Sequence, residues 1–177
     1  MHQQRIIDTI TRLLAATDPG YDAQLTRLLD QAGRIFVAGA GRSGLIARFF
    51  AMRLMHGGYT VFVVGEIVTP SLRPGDLLLV ISGSGETETM VAFARRAKEL
   101  RAQVALLTAR DRSTLAELAD QVFRIGTPEL YGKVVGLPLG TTFELAALFF
   151  LEATIAHIIH EKGIPEEAMR TRHANLE

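Results

Sequence analysis

The chain predicts an α/β protein: a three-layer sandwich whose five-stranded parallel sheet, in the order 2-1-3-4-5, is flanked by helices. Three observations predict it. Short apolar runs rich in strand formers recur at 35–39, 60–64, 77–81, 104–108 and 122–125. Helical patterns lie between most of them, at about 43–56, 87–101 and 113–119. Continuous apolar strands alternating with helices mean a parallel sheet buried on both faces. Two loops rich in glycine and serine, Gly39-Ala40-Gly41-Arg42-Ser43-Gly44 and Ser82-Gly83-Ser84-Gly85-Glu86-Thr87, follow the first and third runs and each precedes a helix. The order 2-1-3-4-5 makes those two strands neighbours across the switch point, so both loops line one crevice at the strand C-termini.

The elements follow in order. Ile6, Ile7, Ile10, Leu13 and Leu14 at helical spacing predict a first helix over 3–16, stopped by the turn Asp18-Pro19-Gly20. Tyr21, Leu25, Leu28 and Leu29 carry a second helix ending near Gly33, so the N-terminal helices occupy 3–32. The α/β core spans 34–126. Its 64–77 connection holds no long helix, because Thr69-Pro70 and Arg73-Pro74-Gly75 break one. A last helix over 141–161 is apolar nearly all round and must be buried on more than one side, so a subunit interface is expected. Gly163 ends it, with Pro165 beyond and a short tail to Glu177. One domain covers 1–177.

Composition narrows the function. Hydrophobic residues are 48% and charged residues 21% of the 177, with 19 basic residues against 19 acidic. That balance disfavours a nucleic-acid partner, which calls for a basic surplus on one face. The absence of cysteine fits a reducing compartment and excludes disulfides and thiolate metal sites. The N-terminus lacks a signal-peptide core, and no apolar run is read as reaching membrane-spanning length. A cytoplasmic protein without membrane contact is expected.

A helix N-terminus presents unpaired N–H groups and the positive end of the macrodipole, and two of them in one crevice favour an anion. Ser43, Ser82, Ser84 and Thr87 add hydroxyls, while Gly83 and Gly85 let the backbone approach closely. A phosphorylated small molecule is the expected ligand. Ser84 or Thr87 could equally cap the helix that follows, and both roles can hold. The first loop also matches the dinucleotide fingerprint G-x-G-x-x-G, with Glu66 closing the second strand where a ribose ligand would sit. Against nicotinamide binding stand the polar Arg42 and Ser43 within the turn. The second loop lacks the lysine of a nucleotide-binding P-loop.

Glu144 has two open readings: the partner of Thr141 in a capping box, or a general base near the crevice. His56 reads as a C-terminal helix residue facing the dipole, His157 and His160 as structural, and His173 as a solvated tail residue. No spacing of histidine and carboxylates suggests a metal site.

The segments Val37 to Gly44, Ile81 to Thr87 and Leu137-Pro138-Leu139-Gly140-Thr141-Thr142-Phe143-Glu144 resemble the sugar isomerase (SIS) family, a flavodoxin-like fold. The Arg-Ser pair in the first loop narrows this to its 6-phospho-3-hexuloisomerase branch. The resemblance covers essentially the whole chain. It implies interconversion of 3-hexulose 6-phosphate and fructose 6-phosphate through an enediol, without cofactor or metal, in formaldehyde fixation by the ribulose monophosphate pathway. It implies that Ser43 and Ser82, Gly83, Ser84, Gly85, Glu86 and Thr87 bind the substrate. Glu144 is then the proton acceptor, and Arg42 or His173 serves the enediolate oxygens, His173 across a subunit interface. A homotetramer built as a dimer of dimers and functional coupling to 3-hexulose-6-phosphate synthase complete that picture. A sugar-phosphate-sensing module, an aldose–ketose isomerase and a nicotinamide-dependent oxidoreductase are the other readings carried forward.

Overall fold

Alternation decides which face of the sheet each strand residue enters. In the computed structural model, which describes residues 2–131, 138 and 140–176, the strands are β1 (Ile35–Gly39), β2 (Val61–Val63), β3 (Leu77–Ile81), β4 (Gln103–Thr108) and β5 (Gln121–Arg124). They form one parallel sheet in the order β2-β1-β3-β4-β5. Ile35, Val37, Leu77, Leu79, Ile81, Ala105 and Leu107 point into one core. Phe36, Ala38, Leu78, Val80, Val104 and Leu106 point into the other. Two buried faces require two helical layers.

The larger layer holds α1 (His2–Ala15), α2 (Tyr21–Gln31), α3 (Gly41–His56) and α6 (Thr141–Lys162). Leu13, Leu25, Leu29, Phe50, Leu54, Ala146, Ala147, Leu151 and Ile158 fill it. The smaller layer holds α4 (Glu88–Glu99) and α5 (Thr114–Leu118), which bring Met90, Val91, Ala94, Ala97 and Leu115. A short α7 (Glu166–Arg170) and a 3₁₀ turn at Pro128–Tyr131 complete the chain.

The proline-rich connection between β2 and β3 is irregular, as expected, and side-chain bonds secure it. The Arg34 guanidinium donates to both carboxylate oxygens of buried Asp76, at 3.0 and 2.6 Å, and the Arg73 N–H donates to Oδ2 of the same carboxylate at 2.7 Å. Thr69 Oγ1 donates to the Val63 carbonyl at 2.6 Å.

Two expectations need correction. At 22 residues α6 is long and apolar enough to span a bilayer by length and composition, although no such run was expected. Its buried half lies against α1, α2 and α3, which accounts for the composition of a central core helix. His56 is not a capping side chain either. Gly57 ends α3 with its own N–H on the Arg53 carbonyl, while the His56 ring is buried with an unpartnered Nδ1 and stacks on His173.

The closest backbone approach lies where β1 passes into α3. A Cβ at Gly44 would sit 2.6 Å from the carbonyl oxygen of Gly39, and a Cβ at Gly39 would sit 2.8 Å from the Ser43 carbonyl. Neither neighbour is a side chain that could rotate aside. Gly44→Ala should therefore lower stability by about 2 kcal/mol, the scale of overpacking against fixed atoms. A shift of the urea midpoint at unchanged m-value checks this.

Candidate active site

Helix α3 starts two residues after β1, and its cap, Ala40, has no side chain that can satisfy the first N–H groups. Ser43 in its first turn is buried and lines a cleft at the C-terminal edge of the sheet. Helix α4 starts from the Ser82–Thr87 loop beside it, because Gly39 of β1 pairs with Ile81 of β3. Thr87 occupies the cap position, yet its hydroxyl makes no capping bond and lies 3.5 Å from Ser82 Oγ. Capping is thus not what this hydroxyl does. Ser82 Oγ accepts from the Gly85 N–H and Ser84 Oγ from the Glu86 N–H, each at 3.2 Å. These bonds hold the loop in its turn.

The cleft has a volume of about 330 Å³, the size of a small-ligand site. Ser43, Ser82, Gly83, Ser84 and Thr87 line it together with Thr142, Phe143 and Glu144. Phe143 lies against the loop so tightly that a Cβ at Gly83 would be 2.8 Å from its ring. Tyr131 joins this apolar wall. Its hydroxyl donates to the Ile125 carbonyl at 2.6 Å, and burial pushes its pKa well up, so it stays a neutral phenol.

The position of Glu144 removes the capping reading. The residue capping α6 is Gly140, in the left-handed region at φ 89°, and Thr141 is already the first helical residue. Glu144 therefore falls one place beyond the capping-box position, and the cap has no side chain to reciprocate. Its carboxylate instead accepts from Arg42 Nε. The glutamate side chain is 12% exposed and the arginine 60%. Glu66 is occupied elsewhere, by Arg48 at 2.8 Å, and does not line the cleft. A ribose acid in that place is spoken for.

Three of the residues expected at the site stand apart from it. Gly85 packs under Ser113, where an added Cβ would lie 2.1 Å from Ser113 Oγ. Glu86 turns its carboxylate to the Thr114 N–H at 2.9 Å, at the start of α5. His173 stacks on His56, with ring centroids 4.2 Å apart, at the end of α3 opposite Ser43. Thirteen residues of helix put that end about 20 Å from the cleft. Burial first, and then the neighbouring His173 and Arg53, hold the His56 imidazole below its usual 6.5. Leu137 and Leu139 lie outside the described residues.

Ala109, Arg110 and Tyr131 line the cleft without having been expected there. The signal available for Ala109 and Arg110 was their place directly after the fourth strand, where a parallel sheet exposes its ligand edge. Among the described residues no group of three or more His, Asp or Glu is arranged as a metal site.

Known proteins bear on this geometry. The SIS domain model matches residues 28–151. A 3-hexulose-6-phosphate isomerase from Methylomonas aminofaciens is 48% identical over 178 residues, covering 99% of this chain and 98% of its own. One from Bacillus subtilis is 44% identical over 158 residues, covering 87% of this chain and 85% of its own. The crystal structure of a Methanococcus jannaschii protein, whose description infers the function of 3-hexulose-6-phosphate isomerase, aligns over 100% of both chains with a TM-score of 0.89 at 35% identity.

The bond from Thr114 lowers the pKa of Glu86 from the ordinary 4.5. A lowered folded-state value stabilises the protein above the unfolded value and ceases to do so as the pH falls through the folded one. Wild type should therefore melt above Glu86→Gln at neutral pH, with the gap closing below about pH 4. KM for a sugar phosphate should not change; a large rise would place Glu86 on the ligand after all.

Proposed function

The chain belongs to the SIS domain family, and we infer that it is an isomerase interconverting 3-hexulose 6-phosphate and fructose 6-phosphate. One observation carries the chemistry: a carboxylate, Glu144, held by a guanidinium across a small cleft from the hydroxyl loop between two helix N-termini. A 3-ketose and a 2-ketose of the same chain differ by one proton moved between C2 and C3. The reaction needs an anchor for the phosphate, a base over the two carbons, and donors for the two oxygens.

Ser43, Ser82, Ser84 and Thr87, with the backbone N–H groups of the loop, anchor the phosphate. Binding this remote group orients the reacting carbons. Glu144 takes the proton from C2 of the 3-ketose, leaving an enediolate whose charge is shared towards O3. The O2 proton passes to O3, which becomes the new hydroxyl, and Glu144 returns its proton to C3 as C2=O2 forms, so that every proton removed is placed again. Arg42 spends only Nε on Glu144, so its remaining N–H groups are left for the enediolate oxygens. A preorganised donor of this kind stabilises charge where it develops, without reorganisation during the step.

His173 cannot reach the cleft of its own chain from the far end of α3. We propose that it serves the cleft of a neighbouring subunit, in a homotetramer built as a dimer of dimers. The exposed apolar stripe Leu45, Phe49, Met52 and Met55 on α3, with Phe149 on α6, supports such an interface. We further propose a cytoplasmic enzyme working with a 3-hexulose-6-phosphate synthase in the ribulose monophosphate pathway.

Glu144→Gln should lower kcat by about 10²–10⁴ at retained fold, the usual worth of a general base. Incubation with fructose 6-phosphate in D₂O, followed by NMR, tests the substrate. The 3-ketose or deuterium at C3 is expected; exchange at C1 would mean an aldose–ketose isomerase, and binding without turnover a sensing module. A second experiment tests the shared site. Mixing inactive Glu144→Gln with His173→Ala and allowing subunits to exchange should restore activity, because hybrid sites pair the intact Glu144 of one chain with the intact His173 of the other. A mixture that stays as inactive as its parts would return His173 to a structural role.

A further inference from the structure

The phosphate anchor described above supplies dipoles but no charge. A phosphate monoester carries roughly −1.5 to −2 near neutrality. One carboxylate already lies in the first turn of α4, that of Glu88. Of the described residues lining the cleft, only Arg110 and Glu144 bear a formal charge, and Glu144 is answered by Arg42. Arg110 is the charge left over.

Its position is fixed by the sheet. Ser82 N–H donates to the Leu107 carbonyl at 3.0 Å and Ala109 N–H to the Gly83 carbonyl at 3.2 Å, so the β3–β4 ladder runs on past the strand ends into the phosphate loop. Thr108 Oγ1 donates to the same Gly83 carbonyl at 3.3 Å and accepts from the Arg110 N–H at 3.3 Å. Arg110 therefore leaves β4 directly alongside Gly83 and Ser84, with its side chain on the cleft rim. The adjacent carboxylate does not claim it: Asp111 pairs with Arg124. Among the described residues no acceptor engages the Arg110 guanidinium, whereas Arg34, Arg42, Arg48, Arg53, Arg96 and Arg124 all have carboxylate partners.

We propose that Arg110 is a substrate-binding residue that neutralises the phosphate of the bound sugar from the β4 side of the cleft, making this chain selective for phosphorylated ketoses. The assignment rests on the isomerase reading for the identity of the sugar, not for the phosphate. Its guanidinium presents two parallel donors to phosphate oxygens, which an ammonium matches only as a point charge. It acts on binding and takes no part in the proton transfer.

Calorimetric titration of inorganic phosphate and of fructose 6-phosphate tests this without turnover, on wild type, Arg110→Met and Arg110→Lys. Arg110→Met should weaken both ligands roughly tenfold, the scale of one charge-assisted contact at a partly exposed site. Arg110→Lys should recover most of that. In the isomerase assay KM should rise by the same factor while kcat moves less than twofold, and the salt dependence of kcat/KM should flatten. Phosphate affinity within twofold of wild type in Arg110→Met overturns the proposal, as does an equal loss in both variants accompanied by a fall in Tm. Failure of the isomerase reading looks different: fructose 6-phosphate then binds in an Arg110-dependent way and is not converted.

Discussion

The contact on which the rest depends is the crossing of Gly39 and Gly44. With no Cβ on either side, the first turn of α3 sits directly on the end of β1. Because β1 and β3 pair through to Gly39 and Ile81, the start of α3 falls beside the start of α4. Two helix N-termini then face one space. Each is worth only about 0.3–1 kcal/mol to a nearby anion at an exposed site, too little to hold a dianion against water. On the proposed reading the hydroxyls of Ser43, Ser82, Ser84 and Thr87 add to this, since hydrogen bonds to a charged group contribute about 1.5–3 kcal/mol each. The glycines decide where the two helix starts meet, and on the proposed reading the hydroxyls and Arg110 together decide what that space can hold.

The one carboxylate among the described residues lining the cleft is answered by a residue 102 positions away. Glu144 enters from α6 and Arg42 from α3, so the ion pair also ties two helices of the larger layer together at their first turns. A pair with one partner 60% exposed contributes little to stability. Its significance is positional. The guanidinium holds the carboxylate in a cleft whose lining also includes the apolar surface of Phe143 and Tyr131.

Much of this was legible in the sequence because buried parallel strands are short, apolar and bounded by turn residues. The bounds of β1 and β3 coincide with the apolar runs ending at Gly39 and Ile81. Gly163, at φ 57°, ends α6 as its sequence position implies. What was not legible depended on contacts distant along the chain. The capping box at Thr141 fits the local pattern, but a left-handed Gly140 moves the cap by one residue and frees Glu144 for Arg42. Glu86 reads as one more member of a phosphate loop; its fate is set by the N-terminus of α5, 28 residues on. Arg110 sits in an arginine-bearing stretch like any solvated turn; its place after the fourth strand points to the ligand edge, and the register of β4 on β3 then sets it beside the Ser82 loop.

The same helix that builds the cleft also limits a single chain. Its first turn supplies Arg42 and Ser43, and its last residue, His56, holds His173 by stacking. A rigid helix cannot bring its two ends together, so any joint role for Glu144 and His173 requires two chains in which the end of one α3 meets the start of another. Leu45, Phe49, Met52 and Met55 recur at helical spacing between those ends and remain exposed, while Arg48 and Arg53, which interrupt the stripe, are each answered within the chain by Glu66 and Glu152. The charges are thus satisfied internally and the apolar side chains are not. Burying that stripe against a second copy would satisfy them and carry His173 towards a cleft other than its own. On the proposed assembly, association and catalysis share one helix.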